Sequence, residues 1–349
     1  MDRQDFELLV ECTRGAVVES VHFGAMAVVD TAGRLVASCG NPDVITYPRS
    51  SAKPFQVLPF VERGGLEHFD INDRELALMC SSHSGTDEHV KVLTGLQAKI
   101  GVTVDDLLCG SHAPYHEPTA RGMLLRVEPY TPARHNCSGK HTGMLAHALL
   151  RDLSKEDYIN PEHPIQKTIF ATFAEMIDYP LDKIALGTDG CSAPVFAAPL
   201  RNVAFGYARL ADPSALPEPR AGSLRRIARA MAANPDMVAG PQRFDTLAMQ
   251  QAAGRLVSKA GAEGYQGMAL LPGALGPGSP ALGIAFKIAD GDLGGRARPT
   301  VAAEVLRQLG LLDAEKMKGL SDFETRPIYN WRHIEVGQIR PVFHLNRAH

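Results

Sequence analysis

A hydroxyl and an amine stand three residues apart in the stretch Arg49-Ser50-Ser51-Ala52-Lys53, where an extended segment is expected to turn into a helix. Positions i and i+3 share one face of a helix, so Ser50 and Lys53 can touch. A serine becomes a strong nucleophile when a base takes its proton, and a lysine whose pKa is lowered by burial or a second cation can be that base. Ser-x-x-Lys is a recurrent form of this arrangement. Alone the pattern is short, and an ordinary helix start also explains it.

Two later segments could complete a hydrolase site. Lys259-Ala260-Gly261 ends a predicted strand, and Ser-x-x-Lys hydrolases carry a Lys-x-Gly element on a strand beside the nucleophile. The lysine supplies positive charge, and the glycine lets a substrate approach the backbone. Ser82, in Ser81-Ser82-His83-Ser84, stands in the chain where a middle element contributes a hydroxyl. The order of the three pieces predicts a serine amidohydrolase.

Two further segments, Cys137-Ser138-Gly139-Lys140-His141 and Asp189-Gly190-Cys191, combine thiols with glycine. Two thiols, an imidazole and a carboxylate could close around zinc, although no Cys-x-x-Cys pair strengthens that interpretation. Cys137 and His141 could instead be a nucleophile–base pair at i,i+4, and both thiols could simply be structural. Three other cysteines in apolar, strand-like contexts are expected to be core residues: Cys12, Cys39 and Cys80.

Composition narrows the class of protein. The 349 residues are 45% hydrophobic and 21% charged, as in a globular protein, and the net charge of -3 gives no general attraction to nucleic acid or anionic lipid. No apolar run reaches the roughly 18–20 residues that span a bilayer. The first residues lack the basic and then apolar profile of a signal peptide, so we expect a cytoplasmic location without nucleic-acid or membrane partners.

Hydrophobic periodicity predicts strands at both ends of the chain and helices between them. Strands are predicted at 6–12, 21–30 and 34–38 as an antiparallel meander, and again at 255–259, 266–271, 282–289 and 334–342. Helices are predicted at 86–100, 164–177, 223–233 and 299–309, and a further one beginning near Lys53 should be kinked or ended by Pro59. Residues 103–135 are predicted to be irregular, and 135–143 to be a loop that feeds a helix.

This distribution predicts an α+β fold. A largely antiparallel sheet would be built from about 5–45 and 255–345, flanked by helices, with a helical and loop lobe at about 50–254. The whole chain, 1–349, is expected to form one unit.

Four blocks of this sequence together resemble the class 3, rhizobial-type L-asparaginases, and the similarity runs from the first strand through at least Asp290. The blocks are Arg49-Ser50-Ser51-Ala52-Lys53-Pro54, Cys80-Ser81-Ser82-His83-Ser84, Asn136-Cys137-Ser138-Gly139-Lys140-His141 and Gly187-Thr188-Asp189-Gly190-Cys191. The third block is the most specific. The resemblance implies a fold like that of serine β-lactamases and glutaminases, and a homodimer.

The resemblance also implies two Ser–Lys tandems, Ser50 with Lys53 and Ser82 with Lys259, as the catalytic groups. It implies a zinc ion with a positioning or structural role. Its ligands would be Cys137, Lys140 and Cys191 with water, where reasoning from residue types alone would choose His141 in place of the lysine.

The substrate implied is L-asparagine, hydrolysed to L-aspartate and ammonia. The residues beside it would be Arg49, His83, Asp189 and His141. Two alternatives stay open: a related amidohydrolase, such as a glutaminase or β-aspartyl amide hydrolase, and a non-catalytic homologue that binds zinc or a ligand.

Overall fold

The computed structural model describes residues 2–348, which divide into two compact units. The sheet unit contains the residues up to 51, 198–212 and those from 247 onward; the helical unit contains 52–197 and 213–246. Residues 198–212 and 247–254, expected in the helical lobe, therefore belong with the sheet. The prediction that the whole chain acts as one unit stays a prediction.

The helices and strands are numbered in chain order. The helices are α1 (Lys53–Glu62), α2 (Gly65–His68), α3 (Asp73–Met79), α4 (Asp87–Ile100), α5 (Glu117–Leu125), α6 (Ser138–Leu150), α7 (Pro164–Ile177), α8 (Leu200–Ala211), α9 (Arg220–Ala233), α10 (Pro235–Val238), α11 (Phe244–Ala252), α12 (Arg298–Leu309) and α13 (Ala314–Met317). The strands are β1 (Glu7–Arg14), β2 (Val17–Asp30), β3 (Leu35–Cys39), β4 (Ile45–Thr46), β5 (Ala185–Thr188), β6 (Pro194–Pro199), β7 (Leu256–Ala260), β8 (Tyr265–Leu270), β9 (Leu282–Ile288), β10 (Arg326–Tyr329), β11 (Glu335–Pro341) and β12 (Asn346–Arg347).

Strands from both ends of the chain form one sheet in the sheet unit. Within residues 2–348 the order is β10-β11-β1-β2-β9-β8-β7, with β3 paired to β2 and β12 paired to β3, and every one of these pairings is antiparallel. Strands β7, β8 and β9 are buried along their whole length, and helices α8 and α12 pack against the sheet. Because both faces of these strands are buried, their polar residues are buried as well, among them Lys259, Gln266 and Lys287. The predicted α+β fold is confirmed.

The helical unit is organised around α6, whose residues 138–148 are all buried. Helices α1, α3, α4 and α7 pack against it. Helix α7 begins with Pro164 after the N-cap His163 and buries Ile165, Ile169, Phe173 and Ile177, the spacing that the sequence predicted. Thr86 caps α4 with its side chain, also as predicted.

Several local predictions were wrong. Helix α1 does not end at Pro59 but continues to Glu62, α5 lies inside the segment predicted to be irregular, and α6 begins at Ser138, inside the segment predicted to be a loop. Cys80 follows helix α3 rather than lying in a strand, but it is buried and free, as are Cys12 and Cys39, as expected of core thiols. Helices α1, α5 and α6 contain glycine or proline, which weakens the local helix signal.

Candidate active site and metal centre

Lys53 is the first residue of α1 and lies in the interior of the helical unit, with 1% of its surface exposed. Its Nζ donates to the carbonyl oxygen of Ser81, to Ser82 Oγ at 3.1 Å and to the carbonyl oxygen of Asn136 at 3.5 Å. The loop that follows α3 supplies the first two partners, and Ser82 is fixed in turn because its N–H donates to the carbonyl of Val238. The structure thus pairs a buried amine directly with the hydroxyl of Ser82.

His83, next in this loop, is fully buried and has both ring nitrogens engaged. The N–H of Gly85 donates to Nδ1 at 3.0 Å, so Nε2 carries the hydrogen and donates to Ser138 Oγ at 2.8 Å. Burial, reinforced by the charges of His89 and Lys53, holds the pKa of His83 well below its usual value. A neutral His83 therefore ties the loop to the start of α6.

Cys137, Lys140 and Cys191 come together in the interior of the same unit. Cys137 immediately precedes α6 and Lys140 lies in its first turn, while the tight turn between β5 and β6 presents Cys191. Lys140 Nζ donates to Cys191 Sγ at 2.9 Å, and Asp189 Oδ2 lies 3.8 Å from the same sulfur. Each of the three predicted metal ligands is no more than 4% exposed.

The charges in this cluster are coupled. A hydrogen bond from Cys191 and the positive charges of Lys53 and Lys140 lower the pKa of the Cys137 thiol, although burial opposes them. Cys191 donates that hydrogen bond, which together with burial raises the pKa of its own thiol. Burial alone would lower the pKa of Lys140, but the charges of Cys191, Cys137 and Asp189 outweigh it and raise that pKa. The cluster therefore combines a thiol of lowered pKa with a buried amine of raised pKa, an arrangement that favours opposite charges on Cys137 and Lys140.

His141 lies one residue beyond Lys140 and contacts Tyr158. Its Nδ1 lies 2.7 Å from the hydroxyl of Tyr158, which accepts the N–H of Leu108, whereas its Nε2 has no hydrogen-bond partner among the described residues. Burial and the charge of Lys140 keep the pKa of His141 well below its usual value. Because the hydrogen bond of His141 goes to Tyr158, the nucleophile–base pair suggested for Cys137 and His141 lacks the bond it needs.

Within residues 2–348, no group of three or more His, Cys, Asp or Glu side chains is arranged to hold a metal ion. A metal at the Cys137–Cys191 pair must therefore take a ligand of another type. The amine of Lys140 is in place, and two sulfurs with one nitrogen form a donor set that suits zinc. The residues present fit a zinc ion only with Lys140 as a ligand.

The sheet unit holds the other predicted catalytic residues. Ser50, 8% exposed, lies in the short 3-10 helix Arg49–Ala52, which begins at Arg49 with a positive φ of 50° and leads directly into α1. Lys259 on β7 is 1% exposed, and its Nζ donates to the carbonyl of Ala260 at 2.6 Å.

Ser51 joins the two segments, because its Oγ donates to the carbonyl of Lys259 at 2.7 Å and its own carbonyl accepts from the hydroxyl of Tyr207. Gly261 allows this approach, since a Cβ there would lie 2.4 Å from the carbonyl oxygen of Pro48. The glycine of the Lys-x-Gly element thus makes room for the serine segment, and the hydroxyl of Ser51 is committed to holding it.

Sequence reasoning missed two supporting residues. His135 accepts the N–H of Cys137 on Nδ1 at 3.0 Å, and Tyr158 orients His141. His135 adjoins the most specific block and could have been noticed there. Tyr158 stands 17 residues beyond His141, with no motif around it.

Comparison with known proteins identifies the class. The sequence model of one family of amide hydrolases matches residues 10–341, nearly the whole chain, so the protein is a hydrolase that acts on amides. That family is L-asparaginase II, and the chain belongs to it. The predicted family relationship is confirmed. No curated protein shows a significant match in sequence.

Among solved structures, a probable glutaminase from Bacillus subtilis complexed with 6-diazo-5-oxo-L-norleucine aligns at 13% identity and a TM-score of 0.38, covering 83% of this chain and 84% of that one. A Bacillus glutaminase in the presence of 4.3 M NaCl aligns at 13% identity and a TM-score of 0.39, covering 83% and 91%. Similarity this low carries no functional argument. No described helix is long and apolar enough to cross a membrane.

Proposed function

We propose that this amide hydrolase is an L-asparaginase that converts L-asparagine to L-aspartate and ammonia, with Ser50 as nucleophile. The chain belongs to the L-asparaginase II family, and the observation that best supports this proposal is the buried amine of Lys53. It contacts the hydroxyl of Ser82 and two backbone carbonyls, and it forms no ion pair with a carboxylate among residues 2–348.

To act as a base, Lys53 must first give up one proton, because the three hydrogen bonds that its Nζ donates use every hydrogen of an ammonium group. A neutral amine has two N–H bonds and one lone pair. The carbonyls of Ser81 and Asn136 can take the two hydrogens, which leaves the lone pair to act as a base. Ser50 precedes Lys53 by three residues on a continuous helical segment, the spacing that suits proton transfer from its hydroxyl.

In the proposed reaction, Ser50 Oγ attacks the side-chain carbonyl carbon of asparagine while Lys53 accepts the hydroxyl proton. The carbon–nitrogen bond then breaks, and the proton passes through Ser82 to the leaving ammonia, with the positive charge of Lys259 favouring the transfer. Water next attacks the ester carbon while Lys53 accepts its proton. The bond to Ser50 Oγ then breaks, and Lys53 returns that proton to Ser50 Oγ as aspartate is released. The second tandem, Ser82 with Lys259, is thus proposed as a proton relay on the grounds of the family resemblance.

We propose that Asp189 binds the α-ammonium group of the substrate and that Arg49 flanks the nucleophile. The engaged nitrogens of His83 support a role in holding the Ser82 loop rather than in direct contact with the substrate. The bond from His141 to Tyr158 similarly supports a role in orienting the first turn of α6.

Zinc is proposed as the cofactor, held by the sulfurs of Cys137 and Cys191 and the amine of Lys140. When bound, it would supply a fixed positive charge that helps to position the substrate. We also propose, on the grounds of the family resemblance, that the protein is a homodimer and that it is cytoplasmic.

Ammonia release from purified protein tests the proposed reaction. Wild type should release ammonia from L-asparagine faster than from L-glutamine, by roughly the 10- to 200-fold that one methylene is worth in a fitted pocket. Ser50→Ala should lose at least about 10³-fold in kcat, whereas Ser51→Ala, which removes a structural hydroxyl, should stay within about tenfold of wild type.

Near-normal activity of Ser50→Ala would remove Ser50 from the mechanism. A preference for glutamine would make the protein a glutaminase, and no release from any amide would favour the non-catalytic alternative.

A further inference from the structure

A line of packed aromatic rings leads away from the candidate metal centre within the helical unit. His135, which accepts the N–H of Cys137, packs its ring 4.4 Å from that of His112. His112 stacks in turn on Tyr115, with ring centroids 4.7 Å apart and planes inclined by 18°. His112 is fixed because Nδ1 donates to the carbonyl of Ala113 and Nε2 accepts the N–H of Asn136. The rings therefore form an ordered wall that starts at the metal centre.

Arg243 stands at the far end of this wall. Its guanidinium carbon lies 5.9 Å from the centroid of the Tyr115 ring, within the range of a cation–π contact. Its Nη1 donates to Ser84 Oγ at 3.4 Å, and Ser84 Oγ donates to the carbonyl of Ala239. The turn that carries Arg243 is thus fastened to the same loop that carries Ser82.

The guanidinium keeps most of its hydrogen-bonding capacity. No carboxylate forms an ion pair with Arg243 among the described residues, and one long bond to Ser84 uses only one of its five N–H donors. The side chain is half-buried rather than fully solvated. Burial raises the pKa of Tyr115, the charges of Cys137 and Asp189 add to this effect, and the charge of Arg243 opposes it.

We infer that Arg243 binds the α-carboxylate of the amino-acid substrate and makes the enzyme select free amino acids. The inference rests on the proposed asparaginase function. A free amino acid carries one negative and one positive group beside the side-chain amide, and a planar guanidinium matches a carboxylate through two parallel hydrogen bonds. Asp189, which we propose binds the α-ammonium group, supplies the negative charge that complements it. The ring of Tyr115 supports the guanidinium of Arg243.

A substrate that lacks only the carboxylate isolates this contact. 3-Aminopropanamide is asparagine without its α-carboxylate, so ammonia release from both compounds can be compared in wild type, Arg243→Met and Arg243→Lys. With asparagine, Arg243→Met should lose about 10- to 100-fold in kcat/KM, as expected for a lost hydrogen bond to a charged group, and Arg243→Lys should lose less. With 3-aminopropanamide, Arg243→Met should stay within about threefold of wild type. Arg229→Met removes a surface guanidinium paired with Asp73 and should change neither rate.

Equal losses of Arg243→Met on both compounds would show a structural role and overturn the inference, as would an unchanged rate on asparagine. Calorimetric binding of the product L-aspartate provides a readout that needs no turnover. If wild type releases no ammonia yet binds L-aspartate about 10-fold or more tightly than Arg243→Met does, the asparaginase proposal fails and the carboxylate site stands. If wild type is active and Arg243→Met binds L-aspartate as tightly, the carboxylate site fails and the activity stands.

Discussion

At the scale of single residues, the helical unit buries two polar clusters whose members stand in the sequence motifs, although the motifs pair Lys53 with Ser50 rather than with Ser82. Lys53 contacts Ser82, and Lys140 contacts Cys191. Buried charges of this kind are costly unless they are paired, and residues whose pKa is shifted by burial and by neighbouring charges concentrate at functional sites. At the second cluster, a divalent metal could take the place of the protons on Cys191 and Lys140.

Removing one thiol should abolish metal binding. Cys191→Ser should reduce the zinc content from about one per chain to a small fraction, because the remaining sulfur and amine are too few to hold the ion. Cys12→Ala, which removes a buried thiol of the sheet unit, should keep the zinc content of wild type. The measurement is metal analysis after zinc loading and gel filtration. Equal zinc in both variants would exclude the Cys137–Lys140–Cys191 site.

The residues of these clusters were predictable because they stand in compact motifs. Ser50 and Lys53 stand three positions apart in the sequence, as do Cys137 and Lys140, and this is a spacing at which residues of a helix share one face. Arg243 and Tyr115 were not predictable, since 128 positions separate them and only the folded chain places them together.

At the scale of elements, α6 has the most constrained position because it is buried throughout its first three turns. Its close approach to α3 depends on Gly139, where a Cβ would lie 2.1 Å from the carbonyl oxygen of Leu78. At Gly143, one turn later, a Cβ would lie 3.5 Å from the side chain of Met79, an ordinary contact. The same substitution at Gly139 and at Gly143 can therefore be compared within one helix.

Gly139→Ala should separate α6 from α3 and lower the free energy of unfolding by about 1–3 kcal/mol, as overpacking does. Gly143→Ala should be neutral or stabilising by up to about 1 kcal/mol, since alanine is the better helix former. Urea unfolding measures both. Equal effects of the two substitutions would contradict the packing assigned to α6.

Elements with strong periodicity were predicted well. Helix α7 was located to the residue, and the strands β1, β2, β3, β8 and β9 were each found within a few residues. Helices α5 and α6 were missed or shortened because glycine and proline weaken their local signal. Burial in the folded unit stabilises α6, whereas α5 buries only Met123. Strand β6 and helix α8 were not predicted.

At the scale of the whole molecule, four buried histidines, His83, His89, His141 and His147, make the helical unit sensitive to acid. Burial lowers the pKa of all four, and that of His89 to about 4 and of His147 to about 3. Both nitrogens of His147 lack a hydrogen-bond partner within residues 2–348. An unfolded chain takes up protons at these residues below pH 6.5, whereas the folded one does not. Stability is therefore unaffected above about pH 6.5 and is lost as the pH falls from there toward 4 and 3.

Each of His89 and His147 should thus cost about 2 kcal/mol of stability at pH 5 relative to pH 7.5. His147→Leu should reduce the difference in unfolding free energy between these two pH values by that amount. His68→Gln, at an exposed position, should leave it as in wild type. If His147→Leu showed the full acid sensitivity of wild type, the histidine would not be held neutral in the folded state.

The sheet built from both ends of the chain was predictable, because runs of strands separated by helices must pair to bury their apolar faces. Which residues pack with this sheet in one unit was not fully predictable. Residues 198–212 lie in the middle of the chain but pack against β9 and β8, a contact that no local pattern encodes.

The central claim, that Ser50 forms the covalent bond to the substrate, is tested most directly by labelling with a diazoketone analogue of L-asparagine and locating the adduct by peptide mass spectrometry. We expect one adduct per chain, attached to Ser50. L-Aspartate should prevent its formation, and the Ser50→Ala variant should not form it. An adduct on Ser51 or Cys137, or undiminished labelling of Ser50→Ala, would contradict it.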